Sequence, residues 1–178
     1  MSKAQREQDD RLVNMALIAI AGGDRSQVEV IYRIYGRMIY SVALQILQSH
    51  ESAEDVVQEV LVGVMKHASS YKKDTNPRAW IMAIARNKAM DHIRAYREHL
   101  PEEAVAERQM VSHENAEESV LLADALASLS REERLLVNLK TYIGLSHKEI
   151  ASVMEITESN AQKRYERAIA KLRAYFEE

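Results

Sequence analysis

The chain has 178 residues, of which 47% are hydrophobic and 29% charged, and it contains no cysteine. This length allows one or two small domains, and the lack of cysteine excludes disulfides, thiolate zinc sites and thiol catalysis. The scarcity of Gly (5) and Pro (2) favours helices over a turn-rich β protein.

The net charge of −3 argues against a nucleic-acid binder, but the charge is unevenly distributed. Residues 72–97 hold seven Lys/Arg and two Asp, and residues 160–175 hold five Lys/Arg and one Glu. Between them, residues 101–119 hold six Glu and one Arg. The net charge therefore does not exclude that the two basic segments, which an acidic one separates, bind an anionic partner.

The start of the chain predicts a frayed polar tail over 1–10 and a short helix over 11–21. The apolar run 15–21 is too short to cross a bilayer or to form a secretory core, which predicts a soluble cytoplasmic protein without membrane insertion. Gly22 and Gly23 end this helix, and Asp24 is placed to cap the next.

Two amphipathic helices follow. The first has apolar residues at helical spacing, namely Val28, Ile31, Tyr32, Tyr35, Ile39, Val42, Ala43 and Ile46. Residues 49–51 break the pattern, and Ser52 with Asp55 resembles a capping box that starts the second helix. The predicted buried stripe of that helix is Val57, Val60, Leu61, Val64 and Met65.

A polar loop, 71–77, ends at Pro77, which suits the first turn of a helix over 78–97. Residues 98–119 lack an apolar period and predict an exposed linker. Four further helices are predicted over 120–129, 131–143, 146–154 and 158–176. The predicted fold is all-α: two small helical domains, 11–97 and 120–178, joined by a flexible acidic linker.

The last two predicted helices form a helix-turn-helix. Ser146 and Glu149 make a capping box, a tight connection follows at Glu155, and Thr157 is a good N-cap for the final helix. A short helix, a tight turn and a longer helix are typical of this DNA-binding motif.

The final helix has a basic face opposite its apolar one. Because the N-terminal residues of a recognition helix meet base edges, we assign Ser159, Asn160, Lys163 and Arg164 to possible base contacts. Arg167 and Lys171 lie further along and suit phosphates. A solvated basic face on a core helix is the alternative, and the capped short helix before it favours DNA.

The helix after Pro77 carries a second set of polar and basic residues on one face: Arg86, Asn87, Asp91, Arg94 and Arg97. Lys72, Lys73 and Arg78 approach this face from the loop side, beside aromatic residues that include Trp80. Cations and aromatic rings together can hold an unwound strand. For Trp80 we favour the alternative of a core anchor.

An acidic and polar edge lies on the helix after Ser52, made of Glu54, Asp55, Gln58 and Glu59. A solvated face is the default interpretation of such an edge. A docking edge for a basic protein partner is the alternative, and side-chain chemistry alone leaves both open.

In this order, the strings IYRIYGRMIYSVA, SAEDVVQEV, NPRAWIMAIARNKAMDHIR and SREERLLVNLKTYIGLSHKEIA resemble the extracytoplasmic-function (group IV) sigma factors of bacterial RNA polymerase. The resemblance covers residues 12–97, as sigma region 2, and residues 120–175, as sigma region 4. It implies a sigma factor that directs promoter-specific transcription initiation, of a stress or envelope regulon, under an anti-sigma factor.

The resemblance also implies roles for particular residues. Asp55, Gln58 and Glu59 fall in the segment that docks on the clamp coiled coil of the largest polymerase subunit. The loop and helix over 71–97 correspond to the part that melts the minus-ten element, with Asn87, Asp91 and Arg94 facing DNA. The helix-turn-helix would read the minus-thirty-five element and touch the polymerase flap.

Several positions depart from the family pattern. Met154 and Glu155 stand where a leucine-glycine turn is common, so a positive φ at Glu155 would carry strain. Asn160, Ala161 and Gln162 replace a threonine-valine-lysine run. Met65 stands where an aromatic residue is common, which we expect to affect packing.

The sequence offers little support for other classes of protein. The six histidines form no HExxH pair or Cys/His set, so we expect no enzyme, no metal and no cofactor. A stand-alone helix-turn-helix regulator would need a dimer and leaves the first module unexplained. A helical adaptor or antagonist, whose basic faces contact a protein, is the remaining alternative.

Overall fold

The structure, a computed structural model, describes residues 2–73, 75–98 and 124–177, without the side chains of residues 97 and 98. Within these ranges the ordered elements are helical. The N-terminal module contains α1 (Lys3–Ala21), α2 (Val28–Leu47), α3 (His50–His67) and α4 (Pro77–Glu98). The C-terminal module contains one helical turn at 124–127, then α5 (Arg131–Asn138), α6 (His147–Met154) and α7 (Glu158–Glu177). The all-α prediction is confirmed.

The N-terminal helix is longer than the sequence predicts. Residues 3–10, expected to fray, form the first two turns of α1, and the Ser2 hydroxyl caps them by accepting from the Gln5 amide at 3.2 Å. Asp10, in the same stretch, pairs with Arg78. This tertiary contact stabilises a helix whose polar sequence has no apolar period, which explains why the pattern missed it. Most of the predicted linker, residues 99–119, lies outside the described residues.

The start of α3 also differs from the prediction. Gln48 ends α2 with a left-handed φ of 52°, and the Ser49 hydroxyl accepts from the Ser52 amide at 3.3 Å. Ser49 is therefore the N-cap, and Ser52 lies inside the helix rather than at its start. The predicted cap was wrong by three residues because Ser49 and Ser52 both have the chemistry of a cap.

The core of the N-terminal module follows the predicted stripes. Seven of the eight predicted apolar residues of α2 lie against the core, but Tyr32 is 56% exposed. Val57, Val60 and Val64 of α3 are buried, with Leu61 and Met65 half-buried. Asn76 caps α4 by accepting from the Arg78 amide at 2.9 Å, and Pro77 occupies the first position as predicted.

The helix-turn-helix is formed as predicted. Ser146 and Glu149 make both hydrogen bonds of a capping box at the start of α6. The Thr157 hydroxyl accepts from the Asn160 amide at 3.2 Å and caps α7. Glu155 joins the two helices with a φ of 57°, the left-handed conformation that its place in the turn suggested.

The predicted helix 131–143 changes character before its end. Residues 139–143 form a π-helical turn, which ends at Gly144 with a φ of 82°. The Leu145 amide then donates to the Leu139 carbonyl at 3.0 Å. Glycine suits this position because a residue without Cβ adopts positive φ at little cost. The turn lets the chain reverse into α6.

The two modules pack against each other. Buried residues of α5 and α6, among them Leu136 and Ile150, belong to the same apolar cluster as Ile31 and Ile81 of the N-terminal module. A smaller cluster of Leu129, Val137 and Ala168 lies within the C-terminal module alone. The sequence predicted two modules but not this shared core, because their contact arises only in the folded chain.

Candidate nucleic-acid interface

The acidic edge, defined as Glu54, Asp55, Gln58 and Glu59, lies along α3. Glu54, Asp55 and Gln58 are exposed, whereas Glu59 is half-buried. Glu59 contacts α4: its carboxylate lies 2.9 Å from His92 Nε2 and 3.6 Å from Lys88 Nζ. Burial raises the pKa of Glu59, but the hydrogen bond and charge of His92, together with Lys88, lower it below its usual value.

A cavity of about 450 Å³ opens beside the acidic edge, between α2 and α3. Glu54 and Gln58 contribute to one wall, and Tyr32, Arg33, Gly36, Arg37, Tyr40 and Val57 complete the lining. A Cβ on Gly36 would lie 3.0 Å from the Tyr32 ring, so glycine at this position leaves room for the exposed tyrosine ring to lie along α2. This cavity was not predicted from the sequence, because the apolar spacing placed Tyr32 in the buried stripe of α2.

The first basic surface comprises Lys72, Lys73, Arg78, Trp80, Arg86, Asn87, Asp91, Arg94 and Arg97. Lys72, Lys73, Asn87, Asp91 and Arg94 are exposed, and Arg94 donates to Asp91 at 2.8 Å. Arg86 is 20% exposed and donates to Asn87 at 3.1 Å. The structure thus brings the later turns of α4 and the preceding loop to solvent. The side chain of Arg97 lies outside the described residues.

Trp80 is half-buried against the core, with its ring tilted against Tyr71 at a centroid distance of 5.3 Å. The structure agrees with the favoured interpretation of this residue as a core anchor. Tyr71 also donates its hydroxyl to the Thr75 carbonyl at 2.6 Å, so the ring pair fixes the loop that leads into α4.

Arg78 does not lie on the surface where the sequence placed it. Its side chain is 3% exposed. The guanidinium donates to the Ile143 carbonyl at 3.0 Å, to the Arg6 carbonyl at 3.2 Å and to the Asp10 carboxylate at 2.8 Å. In this arrangement it cannot reach DNA. The helical wheel could not show this, because the groups that bury Arg78 come from α1 and from the C-terminal module.

The second basic surface comprises Ser159, Asn160, Lys163, Arg164, Arg167 and Lys171 of α7. Ser159, Lys163 and Arg167 are exposed near the start and middle of the helix. Only Ala161 and Ala168 of α7 are buried among the described residues, so the helix rests on one narrow face. An exposed basic helix supported in this way can enter a major groove.

Two cations of this second surface already have acidic partners in α5. Arg164 pairs with Glu132 and also donates to Asn160 at 2.9 Å. Lys171 pairs with Glu133 at 2.7 Å. Burial raises the pKa of Glu133, but Lys171 and the capping bonds with Ser130 lower it below its usual value. Glu132 and Glu133 therefore position two of the four cations, a relationship that the sequence analysis did not find.

Neither a metal cluster nor a membrane helix is found in the described ranges. No group of three His, Cys, Asp or Glu residues there is arranged to hold a metal ion. Likewise, none of the helices in these ranges combines the length and apolarity needed to cross a bilayer.

Comparison with known proteins agrees with this arrangement. Residues 31–99 match the family model of sigma-70 region 2, and residues 119–172 match that of sigma-70 region 4. The first match contains the acidic edge and the first basic surface, and the second match contains the second basic surface. α1 precedes both matches.

The ECF RNA polymerase sigma factor SigL of Mycobacterium tuberculosis is 29% identical over 165 residues, which cover 89% of this chain and 93% of SigL. The ECF RNA polymerase sigma factor SigX of Bacillus subtilis is 22% identical over 164 residues, covering 84% of this chain and 83% of SigX.

Among solved structures, RpoE of Bartonella quintana, in complex with the anti-sigma factor NepR, has a TM-score of 0.72 at 22% identity. That match covers 84% of this chain and 96% of RpoE. CnrH, in complex with the cytosolic domain of CnrY, has a TM-score of 0.70 at 22% identity over 93% of this chain and 97% of CnrH. The fold is thus that of known sigma factors. With both family regions present in order, the chain belongs to the sigma-70 family, in its extracytoplasmic-function group.

Proposed function

We propose that this chain is a sigma factor that binds core RNA polymerase and directs promoter-specific transcription initiation. The observation that carries the proposal is the presence on one chain of an exposed acidic edge and two exposed basic surfaces, the second on a helix-turn-helix. A protein that recruits an enzyme to DNA needs both kinds of surface. The proposed role is non-catalytic.

The acidic edge is the proposed docking site for the clamp coiled coil of the largest polymerase subunit. Glu54, Asp55 and Gln58 support this role because they are exposed on one side of α3, beside the cavity. Glu59 has a different task, since His92 and Lys88 hold it against α4. We assign it to positioning α3 and α4 relative to each other as well as to the edge of the docking surface.

The first basic surface is the proposed site for the melted minus-ten strand. Lys72 and Lys73 on the loop and Arg94 on α4 are exposed cations that suit backbone phosphates. Asn87 and Asp91, on the same exposed face, can hydrogen-bond to an unstacked base. Arg78 and Trp80 lie beneath this surface and support it, and the largely covered Arg86 lies at its edge. Arg97 belongs to the same proposed surface, although its side chain lies outside the described residues.

The second basic surface is the proposed reader of the duplex minus-thirty-five element, with the C-terminal module also touching the polymerase flap. Ser159, Asn160 and Lys163 lie nearest the N-terminal end of α7, where a recognition helix meets base edges. Arg167 is exposed one turn further on and suits a phosphate. Arg164 and Lys171 approach DNA together with their glutamate partners, which reduces their net charge there.

An anti-sigma factor is the proposed regulator. RpoE and CnrH, which share the fold, are each seen in a complex, RpoE with the anti-sigma factor NepR and CnrH with the cytosolic domain of CnrY. An inhibitor that covered the acidic edge and the neighbouring cavity would prevent polymerase binding directly. Such regulation, like the interaction with polymerase, would take place in the cytoplasm.

The deciding experiment combines the purified chain with core polymerase that lacks a sigma subunit and with a genomic promoter library. The proposal predicts transcripts that start at a defined set of promoters. Failure to bind core polymerase, together with tight binding to duplex DNA alone, would instead identify a stand-alone regulator. Binding to neither, with capture of a protein partner, would identify a helical adaptor or antagonist.

The charge reversal Asp55→Arg tests the docking edge within this experiment. We expect core binding to weaken by at least about tenfold, as for a mutated charge at a protein interface. The fold should be intact because Asp55 is exposed. Glu29→Arg, the same kind of reversal at an exposed position of α2, is the matched control. Equal losses in both variants would show a general charge effect rather than a docking contact.

A further inference from the structure

Arg164 of the second basic surface is held from two sides. Within its own helix, Asn160 Oδ1 accepts a hydrogen bond from Arg164 Nε at 2.9 Å. From α5, the Glu132 carboxylate accepts from Arg164 Nη1 and forms an ion pair with it. Lys163 and Arg167, which flank Arg164 on α7, are exposed and form no ion pair with a carboxylate in the described ranges. Arg164 is therefore oriented, whereas no acid of these ranges orients its two cationic neighbours.

The ion pair between Glu132 and Arg164 contributes little to stability. The Glu132 side chain is 69% exposed and that of Arg164 is 31% exposed. Ion pairs at such positions have a small effect on folding because water screens the two charges. The pair instead limits the movement of the guanidinium, since a long arginine side chain samples many rotamers when nothing holds it. Glu132 therefore affects the direction of Arg164 more than it affects the fold.

The same two hydrogen bonds decide which polar groups remain for a ligand. A guanidinium has five N–H donors and no acceptor, and here Nε and Nη1 each donate inside the protein. Nη2 has no hydrogen-bond partner among the residues that the structure describes, and Asn160 keeps the donors of its Nδ2. Because Arg164 already occupies the Asn160 oxygen, the amide is not set up for adenine, which asparagine binds through both oxygen and nitrogen. Arg164 and Asn160 together thus offer donors.

The neighbouring ion pair between α5 and α7 differs in this respect. Lys171 Nζ lies 2.7 and 3.0 Å from the two carboxylate oxygens of Glu133. An ammonium group is a compact charge whose donors rotate, so this contact fixes a charge but no pattern of donors. Lys171 also lies about two turns beyond Arg164, away from the end of α7 that is proposed to meet base edges. Glu133, the same acid at the next position of α5, therefore provides a matched comparison for Glu132.

From this geometry we infer that Glu132, which lies outside the proposed recognition helix, is a positioning residue that determines base specificity through Arg164 and Asn160. This inference rests on the proposed function of α7 as the reader of duplex DNA. Glu132 holds the guanidinium, Arg164 occupies the Asn160 oxygen, and the two side chains meet the duplex as one set of donors. Such a set selects a base edge that presents acceptors. A threonine, common in the family at position 160, has no amide to form this set, which therefore belongs to this chain.

Selection from a duplex library tests the inference. The holoenzyme, formed from the full chain and core polymerase, selects among copies of one promoter whose minus-thirty-five region is randomised. In Glu132→Gln we expect discrimination to fall by about fivefold or more at one or two adjacent base pairs and to be unchanged elsewhere. Binding to duplex of unrelated sequence should strengthen by about twofold or more, because the variant removes a negative charge beside the DNA. Damage to the fold would instead weaken both kinds of binding, and unchanged base preference would overturn the inference.

Three further variants separate the role of Glu132 from a general charge effect. Glu133→Gln removes the same charge from the next position and should strengthen binding to unrelated duplex without changing base preference. Arg164→Ala should reduce discrimination at the same base pairs as Glu132→Gln and, because it releases the Asn160 oxygen, should increase the selection of adenine there. The double variant Glu132→Gln/Arg164→Ala should show the preference of Arg164→Ala alone. Additive changes in the double variant would show that Glu132 does not act through Arg164.

A measurement on the full chain without DNA completes the test. NMR follows the exchange of the Arg164 Nε proton with water, which should be slow because Asn160 accepts from it. Asn160→Ala and Glu132→Gln should each speed this exchange by about threefold or more, and Glu133→Gln should not. Equal exchange in wild type and Glu132→Gln would overturn the positioning role. If the wild-type holoenzyme selects no sequence, the proposed function is contradicted instead, and the exchange rates still show whether Glu132 orients Arg164.

Discussion

The two basic surfaces use the same residue types in different ways. In the first surface, Arg78 is buried and Arg86 is largely covered, so part of the positive charge of α4 maintains the structure. In the second, Lys163 and Arg167 stay exposed, and Arg164 and Lys171 pair with glutamates at the surface. A count of cations along a helix therefore does not give the charge that faces a ligand.

The difference follows from how many neighbours each helix has. α4 packs against α2 and α3 in its own module and against α6 of the other, so few directions lead to solvent. Among the described residues, α7 packs mainly on α5 and α6 and buries two alanines. A charged side chain on a central helix needs partners inside the protein, whereas a charged side chain on a peripheral helix remains available to a ligand.

The largest expected effect is that of Arg78→Ala. The substitution leaves the Asp10 carboxylate without its cation in a largely enclosed site, and we expect a loss of about 3 kcal/mol in the free energy of unfolding. Lys72→Ala, at an exposed position of the same surface, should change stability by less than about 0.5 kcal/mol. Urea unfolding at neutral pH measures both values. Similar small losses would place Arg78 at the surface and remove the contrast between the two basic surfaces.

Within the second surface, Arg167→Ala and Lys171→Ala should differ in their effect on DNA binding. Arg167 is exposed on the face proposed to meet DNA, so its loss should lower the salt slope of promoter binding by about one unit. Lys171 is held by Glu133 at 2.7 Å, so its loss should change the slope by clearly less. The slopes are measured with holoenzyme over a range of salt concentrations. An unchanged slope for Arg167→Ala would exclude a phosphate contact there.

The two left-handed residues offer a smaller, paired test of the modules. Glu155 (φ 57°) and Gln48 (φ 52°) both adopt a conformation that costs a non-glycine residue about 1 kcal/mol or more. Glu155→Gly and Gln48→Gly should each stabilise the chain by up to about 1 kcal/mol. Glu155→Gly also removes the carboxylate that lies 3.7 Å from Arg86, which should offset part of its gain. Thermal unfolding measures both changes, and a loss of stability in both variants would contradict the strain assigned to these two residues.

Most of the fold could be predicted because it is encoded by local signals. The apolar spacing of α2, Pro77 at the start of α4 and the capping box of Ser146 and Glu149 each depend on residues within a few positions of one another. The cap of α3 was misplaced because Ser49 and Ser52 are chemically equivalent candidates. Local signals fix the helices but leave their ends ambiguous where two caps compete.

The features missed by the sequence analysis depend on residues far apart in the chain. Arg78 looked like a surface cation because nothing near it in sequence showed that Asp10 and the Ile143 carbonyl would enclose it. The first turns of α1 were missed for the same reason, since Asp10 gains its partner 68 positions away. Tertiary contacts override the local pattern where a charged residue becomes buried.

The smallest expected effect concerns the pH dependence of the junction between the modules. Burial raises the pKa of Glu149, but the Ser146 amide and hydroxyl, Asn76 and the nearby Arg78 lower it below its usual value of 4.5. A lowered pKa in the folded state stabilises the fold above the ordinary pKa, and this stability is lost as the pH falls through the folded value. Glu149→Gln should therefore lower Tm slightly at pH 7, with a loss of less than about 1 kcal/mol in the free energy of unfolding. This loss should become progressively smaller below about pH 4.5.

Glu133→Gln is the matched comparison for Glu149→Gln. Its pKa is lowered in the same direction by Lys171 and Ser130, against the effect of burial, but all its partners lie within the C-terminal module. Both variants should lose their difference from wild type as the pH falls, because protonation removes the same charge from the wild-type side chain. Glu149 differs from Glu133 in that it also accepts a hydrogen bond from Asn76 of the other module. Thermal unfolding of both variants from neutral to acid pH measures the effect, and a difference from wild type that persists at acid pH would contradict it.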